Sequence, residues 1–358
     1  MLCKDMIQQL KSSLIIGIGL LSLLGCNTAK QIAIAVVEPA PVSLDRTIKR
    51  IGVVNMHLTD NTQKSKTGMD LLISRDDDFL KEKGTDAAIE GLFKNLNQDP
   101  RFDAVVLLQA ESAIVRDQEG RPDETSWKMI QALCERHNLD AIFALAYYHA
   151  DTEITLKKSK IHQRDLMRLE VDKKGHELTL ETLIENGWRI YDPFQKEVLD
   201  EFTFKEQLTA RARGSSPLRA YHAIGSRQDS LVLKSRITGE AYGSRLRPYK
   251  STIYRSYHAA GTDNFISAKE RVEEKDWEGA VSLWKKELSN DKVKFRAMAC
   301  HNLAVVHEAM ENLEEALVWA LKSDEYLSSK TSRLYIDELE DRISQNHLVN
   351  EQLSQLGR

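Results

Sequence analysis

Residues 32–37, Ile-Ala-Ile-Ala-Val-Val, form an apolar run that predicts a strand, closed by Pro39 and Pro41. Residues 48–56 predict a second, well-buried strand. Between 85 and 96, Ala88, Ile89, Leu92, Phe93 and Leu96 recur at the three- and four-residue spacing of one helix face. Asp99 and Pro100 stop that helix, and residues 104–108 return to a strand pattern. A second amphipathic helix over 126–137 carries Trp127, Ile130, Leu133 and Cys134 on one side, and 140–148 again reads as a buried strand. Strands alternating with helices in this way predict an α/β layer with parallel pairing. The pattern then changes. Residues 152–157, 178–183, 187–191 and 197–204 predict a meander of shorter strands, followed by one long helix over 217–242 and a last strand over 246–257.

The last hundred residues switch to helical spacing throughout. Amphipathic helices are expected over 266–275, 277–288, 295–309 and 313–327, with a fifth starting near 331. Two segments within them correspond. Residues 276–284 read Asp-Trp-Glu-Gly-Ala-Val-Ser-Leu-Trp and 312–320 read Asn-Leu-Glu-Glu-Ala-Leu-Val-Trp-Ala, which sets Ala280 and Ala316 36 residues apart. That resembles the tetratricopeptide repeat, whose period is about 34 residues. Leu303 and Ala304 stand at the family's leucine–small pair, and Ala316 follows thirteen residues after Leu303. His307 replaces the usual tyrosine, and the first unit is degenerate at Ser267, Ala268 and Arg271. The resemblance implies two helical pairs with a concave face that binds a protein segment. Arg296, His301, Asn302 and His307 are the candidate groove residues, whereas Trp284 and Trp319 are assigned to the core.

The N-terminus has its own pattern. Lys4 and Lys11 precede an apolar stretch over 14–24, and the small Gly25 precedes Cys26. A spanning helix needs about 20 apolar residues, so this stretch fits a secretory signal instead. Leu23-Leu24-Gly25-Cys26 resembles the lipobox of bacterial lipoproteins. The resemblance implies cleavage before Cys26 and lipid on its thiol, with multiple acyl chains giving lasting attachment to a membrane. No Asp follows Cys26, which points to an outer-membrane anchor facing the periplasm by similarity to the enterobacterial sorting rule. Five residues then separate Cys26 from Ile32, a tether of ~17 Å at full stretch. The expected organisation is a signal over 1–25, the lipidated cysteine and tether over 26–31, an α/β domain over 32–258 (a mixed sheet with flanking helices), an all-α tetratricopeptide-like repeat domain over 262–345 and a tail over 346–358.

Composition narrows the chemistry. The net charge of −4 over 358 residues suits neither a nucleic-acid binder nor a disordered chain. Cys134 and Cys300 each lie among apolar residues and read as buried thiols; no cysteine–histidine spacing suggests zinc. His307-Glu308-Ala309-Met310-Glu311 lacks the second histidine of a zinc-protease helix. Asp76, Asp77 and Asp78 read as solvated carboxylates rather than a cation site. No cofactor is expected. The most unusual feature is charge: between Lys205 and Arg255 eleven Lys or Arg face only Glu206, Asp229 and Glu240. Arg211, Arg213, Arg219, Arg245, Arg247, Lys250 and Arg255 form a candidate anion-facing patch, the alternative being a solvated face paired with acidic neighbours.

Several stretches resemble a family of uncharacterised Bacteroidetes lipoproteins with C-terminal tetratricopeptide-like repeats. They are the lipobox, Pro39-Ala40-Pro41-Val42, the strand 51–55, residues 255–277 and the run 335–342. The α/β part is distantly similar to lipoproteins of the curli-secretion type. These resemblances carry no activity with them. The expected function is a non-enzymatic interaction module, held to the membrane by lipid on Cys26 and meeting an envelope protein through its helices. An oligomeric secretion component and an envelope hydrolase are the alternatives.

Overall fold

Strand β1 (Ala29–Glu38) does not join the α/β layer. It pairs antiparallel along its whole length with β7 (Tyr249–His258), so that Ala29 faces His258 and Glu38 faces Tyr249. The computed structural model describes residues 29–57, 69–109, 122–164, 170–225 and 227–357, with side chains in all of these except 69–77 and 161–172. Cys26, the signal segment 1–25 and the side chains of Asp76 and Asp77 lie outside the described residues. The chain divides into two compact units. One joins the stretch ending at Pro39 to Tyr249–Asn350; the other joins Ala40–Pro248 to Glu351–Arg358.

The expected α/β domain over 32–258 therefore loses a strand at each end. The reason is burial. Ile34 and Val36 on one face of β1 are buried, and Ile32 and Tyr257 pack into the core of the C-terminal helices. Strand β1 begins at Ala29, three residues earlier than the strand expected from Ile32. The unit that follows Cys26 directly is the helical one, not the larger sheet.

The larger unit is built on a five-stranded mixed sheet ordered β3-β2-β4-β5-β6. Strand β2 (Arg50–Asn55) runs parallel to β3 (Ala104–Leu107) and β4 (Ala141–Arg164); β4, β5 (Glu170–Asp192) and β6 (Glu197–Gly214) form an antiparallel meander. Ile51 and Val53 share a core with Ala88, Leu92 and Leu96 of α1 (Met69–Asn97) and Tyr242 of α4 (Arg227–Ser244). Val54 belongs to a second core with Trp127, Ile130 and Cys134 of α2 (Glu124–His137). Consecutive residues of a strand face opposite sides, so β2 serves both cores and carries no polar side chain from Ile51 to Val54.

The meander differs from the four short strands expected. The expected strands over 140–148 and 152–157 both belong to β4, which runs on between them and shifts register against β5 between Leu145 and Tyr147. Residues 178–183 and 187–191 both lie in β5. The residues between those two expected strands are strand as well. Asn186 is fully buried, donating to Thr238 Oγ1 at 3.0 Å and accepting from Trp188 Nε1 at 2.8 Å. Gly187 is there because the ring of Tyr147 lies within 2.1 Å of where a Cβ would stand. The expected helix over 217–242 is two helices, α3 (Pro217–His222), capped by Ser216, and α4.

In the other unit α5 (Asp263–Glu273) packs on α6 (Trp277–Lys286), and α7 (Val293–Ala309) on α8 (Leu313–Tyr326). Ala280, Ala304 and Ala316 are fully buried, and Trp284 and Trp319 are core residues. Small residues at those positions let paired helices approach closely. Asp276 caps α6 by accepting from the Gly279 N–H at 2.9 Å. The last helix, α9 (Lys330–Leu356), runs through most of the expected tail. Its final turns group with the sheet unit, where Gln352 Oε1 accepts from the Ala40 N–H at 2.8 Å. Cys134 and Cys300 are buried free thiols, pushed up to about 12 and about 11 by burial. No described helix is long and apolar enough to cross a membrane.

Candidate functional site

Helix α7 organises the site. Ten of its residues are buried, so it is held from several sides, and its polar side chains reach neighbouring elements. Asn302 faces β7. Its amide nitrogen donates to the His258 carbonyl and its amide oxygen accepts from the His258 N–H, both at 2.7 Å. A primary amide carries one acceptor and two donors, so it can stand in for a neighbouring strand's peptide group. One residue earlier, His301 Nε2 lies 2.9 Å from the Ser256 carbonyl oxygen.

Two turns along α7, Glu308 is fully buried and gathers three partners. Arg255 of β7 donates from Nε at 2.8 Å and Nη2 at 3.1 Å, Tyr335 of α9 donates its hydroxyl at 2.8 Å, and Arg342 of α9 closes the other oxygen. Burial works against the Arg255 charge, but the hydrogen bond and charge of Glu308 outweigh it and strengthen its hold on the proton. Burial, with the Glu308 charge, pushes the Tyr335 hydroxyl well above its usual range. One carboxylate thus ties a strand and two helices together.

Between β7, α7 and the start of α9 lies a cavity of about 810 Å³. Its apolar lining comes from Phe295, Met298 and Val305 of α7, Leu327 beyond α8, and Leu334 of α9; Tyr254, Ser256 and His258 line it from β7. Burial drives the His258 ring down to about 4, with help from His301 and Lys294, and burial likewise lowers His301. An unfolded histidine titrates near 6.5, so between 6.5 and about 4 the unfolded chain binds the proton that folded His258 refuses. Stability is then complete above pH 6.5 and falls as pH drops through that window. The urea midpoint is expected to fall between pH 7 and pH 5, and His258→Gln to remove part of the fall; equal falls in both chains would refute this assignment.

The four expected groove residues separate. All lie on α7, but of the four only His301 lines the cavity. Asn302 holds β7, Arg296 donates to the Asn290 carbonyl at 2.7 Å and lies over the Tyr326 ring, and His307 is lowered by burial on another side. Tyr254 and Leu334 fall outside the buried faces of their elements, and Leu327 ends the expected helix over 313–327, so periodicity does not single any of them out as a groove residue. Unusual exposure of large apolar side chains is their only signal, and exposure is not written in a sequence.

The basic segment also divides. Arg213 and Arg211 pair with Glu177 at 2.5 and 3.8 Å, Arg245 with Asp200 at 3.1 Å, Arg247 with Asp99 at 3.0 Å, and Arg255 with Glu308 and Glu338. The hydrogen bond from Arg213 holds Glu177 below the usual carboxylate range. Arg219 and Lys250 are exposed, without an acidic partner among the described residues. Five of the seven are therefore occupied by acids from other parts of the chain. Among the described residues, no group of three or more His, Cys, Asp or Glu side chains is placed to hold a metal ion.

Fold and cavity together define a protein of two units, one a mixed α/β sheet unit and the other a helical unit that carries a short sheet and an apolar groove. Residues 48–258, more than half the chain, match the family model described as a domain of unknown function (DUF8603), and the chain belongs to that family. Residues 266–341 match a second model, a domain of unknown function (DUF6340). No curated protein matches. Among solved structures, the chain is similar to the PelC dodecamer from Paraburkholderia phytofirmans, at 10% identity and a TM-score of 0.24, covering 60% of this chain and 96% of that one. It is also similar to a neuraminyllactose-binding hemagglutinin homolog from Helicobacter pylori, at 8% identity and a TM-score of 0.23, covering 55% of this chain and 91% of that one. Likeness at that level transfers neither a site nor an activity.

Proposed function

We propose that this chain is a lipid-anchored, non-enzymatic interaction protein of the cell envelope. Lipid on Cys26 would hold it at the outer membrane, facing the periplasm, and the cavity of the helical unit would receive a protein partner. Resemblance of the N-terminal motif to a lipobox supports the anchor, and the tetratricopeptide-like spacing of the helices supports a partner-binding role. The observation that carries the reading is the cavity rim. Tyr254, Leu327 and Leu334 are 66%, 56% and 51% exposed, and all three line the same cavity. Large apolar groups gathered in the open around a concavity mark a binding surface.

The test uses exposed positions, so that folding is spared. Truncation near Gly261 would be a poor control, because β1 and β7 would lose the helices that cover them. Instead the intact lipoprotein is compared with a Leu327→Glu, Leu334→Glu variant in affinity capture from envelope fractions. The wild type is expected to retain at least one protein that the variant loses. Identical captures would remove the groove from consideration.

A further inference from the structure

A sheet of two strands has two open edges, and open edges invite pairing unless something blocks them. Strand β7 gives one side to β1 along its full length. In an antiparallel ladder the N–H and C=O of a residue point to the same side, and that side alternates along the strand. His258 sends both groups to Asn302, away from β1. Ser256, Tyr254 and Thr252 therefore face the same way. Helix α7 closes this edge at His258, through Asn302, and at the Ser256 carbonyl, through His301. Beyond that point, the Ser256 N–H and both backbone groups of Tyr254 have no partner among the described residues.

The cavity lies along this open stretch. A strand laid against β7 would stand about 4.8 Å from it, with alternate side chains on the same face as those of β7. The β7 side chains on that face point at the helices: Tyr257 is buried near Trp284, with ring centroids 6.2 Å apart, and Arg255 reaches Glu308. Side chains of an added strand would follow them toward α7 and α9, into the space bounded by Met298, Val305 and Leu334. The cavity thus occupies the place of a missing third strand. The charge at its rim is one-sided. Arg255 is taken by Glu308 and Glu338, while Lys294 is exposed, lines the cavity and has no acidic partner among the described residues.

We propose that the open edge of β7 receives an extended peptide of a partner protein as a third strand, with apolar residues at alternate positions entering the cavity and a carboxylate meeting Lys294. This deepens, and rests on, the reading of the cavity as a protein-binding groove. Recognition of this kind draws affinity from main-chain hydrogen bonds and specificity from alternate side-chain pockets.

The probe is a fluorescein-labelled decapeptide of alternating threonine and leucine ending in glutamate. It is titrated by anisotropy against the mature chain carrying Cys26→Ser, which stays free of lipid. Saturable binding is expected. Ser256→Pro removes an N–H that points away from β1, a place where an edge strand tolerates proline, and should weaken binding at least tenfold. Leu334→Glu should weaken it by a similar factor, and Lys294→Glu several-fold. Amide exchange at Tyr254 and Ser256 of the Cys26→Ser chain should slow when the probe binds, a readout that does not depend on how Ser256→Pro folds. Loss with Leu334→Glu but not with Ser256→Pro, and without slowed exchange, would overturn strand addition and leave the groove standing. Absence of saturable binding, or tighter binding of an amphipathic helical peptide of equal apolar content, would also overturn it. Binding unchanged in every variant would sink both readings.

Discussion

Glu308→Ala is expected to cost about 3–5 kcal/mol of stability, the range for breaking a buried ion pair by removing one partner. Glu308 is fully buried, and the side chains of Arg255 and Arg342 are only 17% and 20% exposed. Taking the carboxylate away leaves Arg342 and the Tyr335 hydroxyl without the acceptor they shared, and leaves Arg255 with the half-exposed Glu338 alone. Much of the cost is that stranding, not the strength of the original bonds. Glu308→Gln keeps one acceptor oxygen and should lose roughly half as much. A combined change of Arg255→Met, Glu308→Leu, Arg342→Met and Tyr335→Phe should recover most of the loss, because a packed apolar group avoids the desolvation of charge altogether. Urea unfolding at pH 7 separates these cases, provided the slope is unchanged. A loss below about 1 kcal/mol for Glu308→Ala would mean the cluster is not formed. The same clamp holds two walls of the cavity, β7 and α9, on the third, α7. A destabilised clamp should therefore weaken the proposed peptide binding as well.

Gly239→Val is the second large effect. Helices α1 and α4 touch backbone to backbone. A Cβ at Gly239 would stand 1.9 Å from the Ala88 carbonyl oxygen and 2.8 Å from the Leu92 nitrogen. From the other helix, a Cβ at Gly91 would stand 2.2 Å from the Arg236 carbonyl oxygen. A flexible side chain could swing aside, but a helix backbone cannot. The helices would have to part, over a core that includes Leu92, Leu96 and Tyr242. Overpacking a core costs typically 1–3 kcal/mol and occasionally more; against backbone on both sides, Gly239→Val should reach about 3 kcal/mol or beyond. Gly225→Ala is the control. Among the described residues nothing lies within 4 Å of its Cβ position, so its effect should stay within about 0.5 kcal/mol. Similar melting of the two variants would remove the close-contact argument.

Much of the element order is legible along the chain. The 88–96 apolar spacing, the Trp127–Cys134 face and the run 51–54 each state a local periodicity, and a periodicity needs no knowledge of distant residues. The buried Ala280 and Ala316 were legible for the same reason, as a small residue recurring in two matching segments, and Ala304 from its place after Leu303. Failures came where a polar residue is satisfied from far away. Asn186 reads as a break between two short strands until Thr238 is beside it. The basic segment reads as unbalanced until Asp99, which lies 148 residues from Arg247, and Glu308, which lies 53 residues from Arg255, are set against it.

The α/β pattern followed by helices and the small residues at the helix crossings were determined by the sequence alone. Each depends on neighbours within a turn or two. Tertiary structure alone decided that β1 and β7 pair with each other and leave the larger sheet, that Asn302 serves as a strand's missing neighbour, and that an open edge borders an apolar cavity. Alternation along a strand says which face is buried, but not what buries it. Pairing is settled by the backbone that happens to lie beside the strand, and the strand beside β7 comes from the other end of the chain.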